Sequence, residues 1–293
     1  MNRIKGILYA AVSSSTFGLA PFFSLTLLIA GFSSCEVLSY RWGVASLTLA
    51  LFGWLTGCKF RIDRKDIFTV FCLSLFRAAT SFSLLIAYQN ISSGVASIIH
   101  FMYPLAVAVV MMCFFKEQKS GWVITAILIS IAGAILLSCG DIHRGEGNTF
   151  VGIFSACIAV FAYAGYIIGV RKSRVVQIQS TVLACYVMGI GALFFIVGAF
   201  FTSGIRWVTD SYTWLIILGL ALPATAISNL TLVQAIKYAG PTLTSILGAL
   251  EPLTAVVIGV LVFREAFTLN SVFGVALIVI AVTLVVIYSG KKR

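Results

Sequence analysis

The chain alternates between long apolar stretches and short polar connections. An apolar stretch of about 20 residues has the length that an α-helix needs to cross roughly 30 Å of hydrocarbon at about 1.5 Å per residue. The pattern predicts an all-α membrane protein with ten transmembrane helices. The ten stretches are 5–29, 36–57, 67–89, 93–115, 121–139, 150–170, 178–202, 212–236, 241–263 and 269–289.

The connections between these stretches are too short to fold into a domain outside the membrane. The longest are 140–149 and 203–211, and a connection of that length carries no core of its own. The first stretch is long, lacks a small-x-small cleavage site and is followed at once by the second, so we expect it to stay as a span. Any activity is therefore expected inside the helix bundle.

The composition excludes a soluble globular protein. Of 293 residues, 60% are hydrophobic and 10% are charged, whereas soluble domains carry about 45 to 50% apolar and about 25% charged residues. There is no G-x-x-x-x-G-K-[ST] phosphate loop in the chain, so it is not expected to hydrolyse ATP.

The net charge of +11 predicts membrane orientation rather than nucleic-acid binding. With a cytoplasmic N-terminus, fifteen of the twenty basic residues fall in inner segments, three in outer segments and two, Arg41 and Arg77, inside spans. Cytoplasmic connections carry the excess of Lys and Arg in multi-pass proteins. We therefore expect both termini to be cytoplasmic, in the cell inner (plasma) membrane, with the lipid bilayer as a partner and no nucleic acid.

An internal repeat appears at an offset of 148 residues. Residues 87–121 match residues 235–269, each covering the fourth of five stretches. The seven identities pair Ala87 with Ala235, Ser97 with Ser245, Ile98 with Ile246, Pro104 with Pro252, Leu105 with Leu253, Phe115 with Phe263 and Glu117 with Glu265.

This repeat predicts two five-helix units, 1–139 and 150–289. Because five is odd, the second unit enters from the opposite side and is inverted relative to the first. Inverted-topology repeats are typical of secondary transporters, in which two equivalent packings provide the inward-open and outward-open states. The predicted fold class is therefore an all-α membrane protein with ten transmembrane helices as two inverted five-helix repeats.

The Pro-x(12)-Glu spacing at Pro104/Glu117 and Pro252/Glu265, the Glu251-Pro252 dipeptide and the short-looped spans resemble the EamA group of the drug/metabolite transporter superfamily. The resemblance covers nearly the whole chain. It implies a transporter of amino acids, other metabolites, nucleotide sugars or drugs, and bacterial EamA-type members are often exporters.

Two charged residues near the predicted midplane are candidate substrate-binding groups. A charge inside a span needs a partner or a water-filled cavity. Arg77 can bind a carboxylate or phosphate bidentately; the alternative is a structural ion pair or a cap for free carbonyls. Glu251 is a candidate for proton coupling or for binding an amine; the alternative is a pair with Arg77 or a bond to backbone. An Arg77–Glu251 pair is predicted as one arrangement.

Two prolines predict interrupted helices near the midplane. Because proline lacks an amide hydrogen, Pro104 and Pro252 leave the carbonyls of His100 and Gly248 without their usual helical partner. His100 beside such a carbonyl is a candidate for binding substrate or relaying a proton; the alternative is a simple hydrogen bond to a neighbouring helix.

Uncharged candidates complete the predicted site. Tyr103 occupies the position that Glu251 has in the other repeat, and Tyr163, Tyr166 and Asn229 are expected to line a cavity with mixed aromatic and polar walls. The alternative for the aromatic residues is packing. Arg41, six residues into the second stretch, is expected to extend its charge to the membrane interface.

The leading prediction is a secondary transporter, an exporter of small polar or amphipathic metabolites such as amino acids, working by alternating access. No enzyme activity, cofactor or metal site is expected, because the seven cysteines form no C-x-x-C pair and no H-E-x-x-H or G-x-S-x-G motif is present. The alternatives are a lipid-precursor flippase, an intramembrane enzyme using His100, Glu251 and Tyr103, and a channel. A homodimer is kept as an alternative to the monomer.

Overall fold

The computed structural model describes residues 2–91, 93–116, 121–138, 147–202, 204–254, 257 and 269–291. These residues are almost entirely helical, and none of them lies in a strand. The helices are α1 (Asn2–Phe17), α2 (Ala20–Ile29), α3 (Ser34–Leu55), α4 (Arg64–Asn90), α5 (Ser93–His100), α6 (Tyr103–Phe114), α7 (Gly121–Ser138), α8 (Thr149–Lys172), α9 (Ser180–Thr202), α10 (Ser211–Ala221), α11 (Ser228–Ala239), α12 (Pro241–Leu247) and α13 (Leu269–Lys291).

Polar residues in the connections begin several of these helices. The Ser33 side chain accepts from the Glu36 amide while the Glu36 carboxylate accepts from the Ser33 amide, which forms a capping box at α3. Asn148 caps α8, and the Thr213 amide donates to the Asp210 carboxylate at the start of α10, 2.8 Å away. That hydrogen bond lowers the pKa of the Asp210 carboxyl.

Four of the predicted stretches are interrupted, each beside a proline. A proline cannot donate to the preceding turn, so a new helical segment begins at its position. The interruptions lie between α1 and α2 before Pro21, between α5 and α6 before Pro104, at one turn of π-helix over Leu222–Ile227 that contains Pro223, and between α12 and the helical residues 250–254 that contain Pro252.

In the described part of the chain, five helical segments are long and apolar enough to cross a membrane: Arg3–Ile29, Arg64–Asn90, Thr149–Lys172, Ser180–Thr202 and Ser211–Ala239. Shorter apolar helices cover Tyr103–Phe114, Gly121–Leu136 and Val272–Leu284. Many large apolar side chains on the outside of the bundle are exposed, including Phe161 and Phe200, as a lipid-facing surface requires. The protein is thus an all-helical, multi-pass membrane protein.

Four helix pairs form the most extensive contacts of the bundle: α3 with α9, α4 with α8, α7 with α13, and α1 with α11. The α4 and α8 pair meets through small residues. A side chain at Gly169 of α8 would lie 2.7 Å from the Leu73 side chain of α4, so the glycine permits this close packing. Together these pairs place α4, α8, α11 and the interrupted helices around the centre of the bundle.

Candidate functional site

Arg77 lies at the centre of the bundle on α4, with 1% of its surface exposed. Its Nε donates to Asn229 Oδ1 at 2.9 Å, and its Nη1 lies 3.5 Å from Ser81 Oγ. The guanidinium carbon lies 5.1 Å from the Tyr163 ring centroid and 5.9 Å from that of Tyr166. Aromatic rings favour a nearby cation, so α4, α8 and α11 together hold this charge in place.

The π-helical turn positions Asn229. The Asn229 Nδ2 donates to the Thr225 carbonyl at 2.7 Å, and the Thr225 hydroxyl donates to the Leu220 carbonyl at 2.7 Å. These bonds join the irregular turn, where the regular helical ladder is disturbed, to the ends of α10 and α11 on either side of it. They fix the Asn229 amide so that its oxygen is directed at Arg77.

Glu251 lies near Arg77 without forming the predicted salt bridge. Among the described residues the one salt bridge joins Arg174 to Asp66. The half-buried Glu251 carboxylate interacts with the Tyr103 hydroxyl and feels the Arg77 charge at longer range. The predicted direct Arg77–Glu251 pair is therefore absent from this structure. Arg77 bonds instead to Asn229 and Ser81, and the Glu251 carboxylate interacts with the Tyr103 hydroxyl.

The interruption before Pro252 brings Gly248 against Tyr103. A Cβ built on Gly248 would lie 1.6 Å from the Tyr103 hydroxyl oxygen. The Gly248 carbonyl, which the sequence predicted to lack a partner, accepts from the Glu251 amide at 2.9 Å. The turn thus provides a hydrogen-bond donor for the Gly248 carbonyl, and the missing side chain at Gly248 leaves room for the Tyr103 hydroxyl.

The break in the first helix meets the same region. A Cβ at Gly18 would lie 2.6 Å from the Glu251 carbonyl oxygen and 2.8 Å from the Thr254 side chain. Glycine at this position allows the end of α1 to approach the backbone around Pro252. Two interrupted helices therefore meet beside Glu251.

His100 ends α5 and stacks into the same cluster. Its ring centroid lies 5.4 Å from those of both Tyr103 and Tyr163, which are 4.6 Å from each other. The imidazole is 4% exposed, and neither nitrogen has a hydrogen-bond partner in the described part of the chain. The buried Tyr166 hydroxyl also has none among those residues. Buried polar atoms are normally paired, so these atoms are available to a ligand.

The structure thus brings together all seven predicted substrate-binding residues around the interruptions at Pro104 and Pro252. They are Arg77, His100, Tyr103, Tyr163, Tyr166, Asn229 and Glu251.

The expectation that Arg41 reaches the membrane interface is wrong. Its side chain is 5% exposed, and its Nε donates to Thr225 Oγ1 at 2.7 Å. The guanidinium carbon lies 5.5 Å from the Phe17 ring centroid, and the same ring lies 5.2 Å from the guanidinium carbon of Arg77. Sequence distance from the end of the helix suggested snorkelling, whereas the packing of α3 on the π-helical turn directs Arg41 inwards.

A cavity of about 20 Å³ connects the two arginines. It is also lined by Ser81, Tyr88 and Phe17, and the Tyr88 hydroxyl is hydrogen-bonded to Ser97 of α5. Tyr88 stands eleven residues after Arg77 on the same face of α4, and this spacing was the signal for it. The charge of Arg41 inside a span drew attention to it, but it was assigned to the interface, and Phe17 was not predicted.

Within the described ranges there is no group of three or more His, Cys, Asp or Glu side chains that could hold a metal ion. Three of the identical residues of the internal repeat lie outside those ranges: Glu117, Phe263 and Glu265.

Comparisons with known proteins agree with this architecture. The model of the EamA-like transporter family matches residues 4–139 and 150–287. The chain is 23% identical over 253 residues to an uncharacterized inner membrane transporter, YicL, of Salmonella typhimurium strain LT2, covering 85% of this chain and 83% of that one. A solved crystal structure superposes with a TM-score of 0.81 at 15% identity, over 100% of this chain and 98% of the other, and shows a shared fold. The matches and the helix bundle together establish that this chain is a membrane transporter belonging to the EamA-like transporter family.

Proposed function

We propose that the protein is a secondary transporter that exports small polar or amphipathic metabolites, such as amino acids, across the inner membrane. The observation that carries the proposal is the buried cluster around Arg77. It combines a permanent cation, one carboxylate and polar atoms of His100 and Tyr166 that have no partner among the described residues. A solute that carries both a carboxylate and an amine is complementary to such a cluster.

We further propose ten spans arranged as two inverted five-helix repeats, 1–139 and 150–289, with both termini in the cytoplasm. The family model matches two ranges with nearly these limits, which supports the division. The excess of basic residues in the inner segments supports the orientation.

The helix pairing gives independent support for the repeats. In the proposed repeat, each of the first five stretches corresponds to one of the last five, so α1 corresponds to α8 and α4 to α11. Replacing each helix by its counterpart therefore converts the α4 and α8 pair into the α11 and α1 pair. The same exchange returns the α3 and α9 pair and the α7 and α13 pair to themselves. These four pairs have the most extensive contacts in the bundle.

Corresponding residues also meet at the site. Tyr103 and Glu251 are separated by the repeat offset of 148 and interact with each other. Ser81 and Asn229 are separated by the same offset, and both lie against Arg77. Contacts between equivalent positions are expected close to a pseudo-two-fold axis, so the axis is proposed to pass through the site.

Alternating access follows from this arrangement. Interrupted helices from both halves contribute to the site, so rocking one half against the other exposes the site to one side of the membrane at a time. Glu251 and His100 are the candidates for proton coupling because they are the protonatable groups in contact with Tyr103.

The experiment is counterflow in proteoliposomes with radiolabelled alanine, glutamate and leucine as probes. We expect saturable counterflow of at least one probe, recovered chemically unchanged, and its loss in Arg77→Ala. Arg61→Ala is the matched control, because Arg61 is exposed and lies before α4, outside the site. Absence of counterflow for all three probes would contradict an amino acid exporter, flux that does not saturate would indicate a channel, and chemical conversion would indicate an enzyme.

A further inference from the structure

Two buried arginines share one cavity at the centre of the bundle. Arg41 and Arg77 both line the cavity of about 20 Å³, and both face the ring of Phe17, at 5.5 Å and 5.2 Å. An aromatic ring contacted by two cations reduces the penalty of placing like charges together. It does not neutralise them.

The partners of these arginines are neutral. Arg41 bonds to Thr225, and Arg77 bonds to Asn229 and Ser81. Arg41 Nη2 is buried with no hydrogen-bond partner within the described ranges. A guanidinium has five N–H donors in a planar fork that fits a carboxylate or a phosphate, so this nitrogen is a donor ready for an oxyanion.

Among the residues that the structure describes, the charges around the cavity do not balance. Glu251 is the acid among the described residues whose charge reaches Arg77. The buried carboxylate of Glu36 on α3 accepts from the amides of Ser33 and Arg206 instead, and the buried Asp66 forms an ion pair with Arg174. With Glu251 ionised, the two arginines still leave one positive charge in excess, and a buried charge without a counter-charge is strongly unfavourable.

We propose that the cavity between Arg41 and Arg77 is an oxyanion subsite, and that the transported solute is a small organic anion with net negative charge. This assignment rests on the proposed transport function and narrows its substrate class. A zwitterion such as alanine adds no net charge and leaves the excess in place. A solute with one negative charge in excess, through a carboxylate or a phosphate group, neutralises it.

The size of the cavity implies movement on binding. A cavity of about 20 Å³ has room for about one water and not for a whole metabolite. One wall consists of Phe17 and the α2 residues Ala20, Pro21 and Ser24, on both sides of the first helix break. Displacement of α2 from α3 and α4 at this break is the simplest way to admit the oxyanion.

The test is thermal unfolding of the purified full-length protein in detergent. The probes are succinate, glutamate and inorganic phosphate, compared with alanine and with sodium chloride at equal ionic strength. We expect a saturable rise in Tm with the anionic probes and none with alanine, since a ligand of the folded state stabilises it. Arg41→Gln should weaken the apparent affinity for the anionic probes about tenfold or more, because a charge-assisted hydrogen bond is lost.

A second measurement does not depend on the choice of probe. Without anions, Arg41→Gln should unfold at a Tm no lower than that of the unchanged protein, because the substitution removes an uncompensated buried charge. Arg61→Gln, at an exposed position, is the matched control and should keep the full response to the anions. Arg41→Lys keeps the charge without the fork and should give a reduced response, which provides a second test if Arg41→Gln fails to fold.

Three results would overturn the assignment. They are an equal Tm response to alanine and to the anions, an unchanged anion response in Arg41→Gln, and a response to added phosphatidylglycerol but to none of the soluble anions.

Counterflow distinguishes failure of the oxyanion subsite from failure of the proposed transport function. Exchange of alanine that depends on Arg77, without stabilisation by anions, would support the transport function and contradict the oxyanion subsite. Stabilisation by anions without exchange of any solute would support the subsite and contradict the transport function.

Discussion

The hydroxyl of Tyr103 occupies the space that a side chain at Gly248 would need. A Cβ at position 248 would lie 1.6 Å from that oxygen and 2.8 Å from the Tyr103 ring carbon that carries it. The contact joins the start of α6 to the turn after α12, which are the interruptions associated with Pro104 and Pro252. The glycine thereby allows Tyr103 to reach Glu251.

Gly248→Ala should therefore displace Tyr103 and reduce transport strongly. The matched control is Gly43→Ala on α3, where an added Cβ would meet no atom within 4 Å; it should keep transport and gain up to about 1 kcal/mol of helix stability. Adding Tyr103→Phe to Gly248→Ala should restore part of the folded stability by removing the closest clash. The rate of counterflow and the Tm of each variant provide the measurement, and normal counterflow in Gly248→Ala would show that the contact is dispensable.

The hydrogen bond from Arg77 to Asn229 orients the guanidinium for a ligand. Two substitutions of Asn229 test this role, one by removing the acceptor and one by adding a negative charge beside Arg77. Asn229→Ala removes the acceptor at 2.9 Å and should raise the KM for transport by about tenfold, the equivalent of about 1.4 kcal/mol. Asn229→Asp places a carboxylate against the guanidinium and should raise Tm while abolishing transport, because the new acid competes with the substrate. If Asn229→Asp transports normally, Arg77 does not bind the substrate.

Glu251→Gln tests proton coupling. The carboxylate is faced by the Tyr103 hydroxyl and lies within the electrostatic reach of Tyr88, Tyr163 and Arg77. If Glu251 carries the proton, the variant should keep solute counterflow but lose stimulation by an imposed pH gradient. Glu36→Gln is the control, because Glu36 bonds to loop amides away from the site. Stimulation by the gradient that is equal in Glu251→Gln and the unchanged protein would exclude this role.

The polar atoms of His100 and Tyr166 that have no partner in the described ranges predict that stability and transport respond oppositely to their removal. Leaving a buried polar group unpaired costs about 1 to 3 kcal/mol, so His100→Phe and Tyr166→Phe should unfold at the same Tm or higher. If these atoms bind the solute, both variants should also show a raised KM. Lower stability with an unchanged KM would instead indicate that each side chain has only a structural role.

Much of the local structure could be predicted because it depends on short-range rules. Helical residues occur in all ten predicted stretches, since an apolar segment of that length satisfies its own backbone hydrogen bonds. Prolines at 104 and 252 stand beside interruptions because proline has no amide hydrogen to donate to the preceding turn. The interruptions beside Pro21 and Pro223 follow the same rule and were missed because no charged residue drew attention to them.

The partners of the charged residues could not be predicted from local rules. A direct Arg77–Glu251 pair was one predicted arrangement, and Arg41 was expected to reach the interface; neither is present in the structure. The packing of α3 on the π-helical turn places Thr225 against Arg41, and Asn229, at the start of α11 directly after that turn, bonds to Arg77. Contacts between residues more than 150 positions apart depend on how the helices pack rather than on the neighbours of each residue.

The sequence by itself determined that this chain is a helical membrane protein, where its helices lie and which polar residues would be costly to bury. Hydrophobic length and the chemistry of proline decide these properties locally. Only the tertiary structure decided that two arginines share one cavity and that Glu251 interacts with Tyr103, because those relationships arise where interrupted helices from distant parts of the chain pack together.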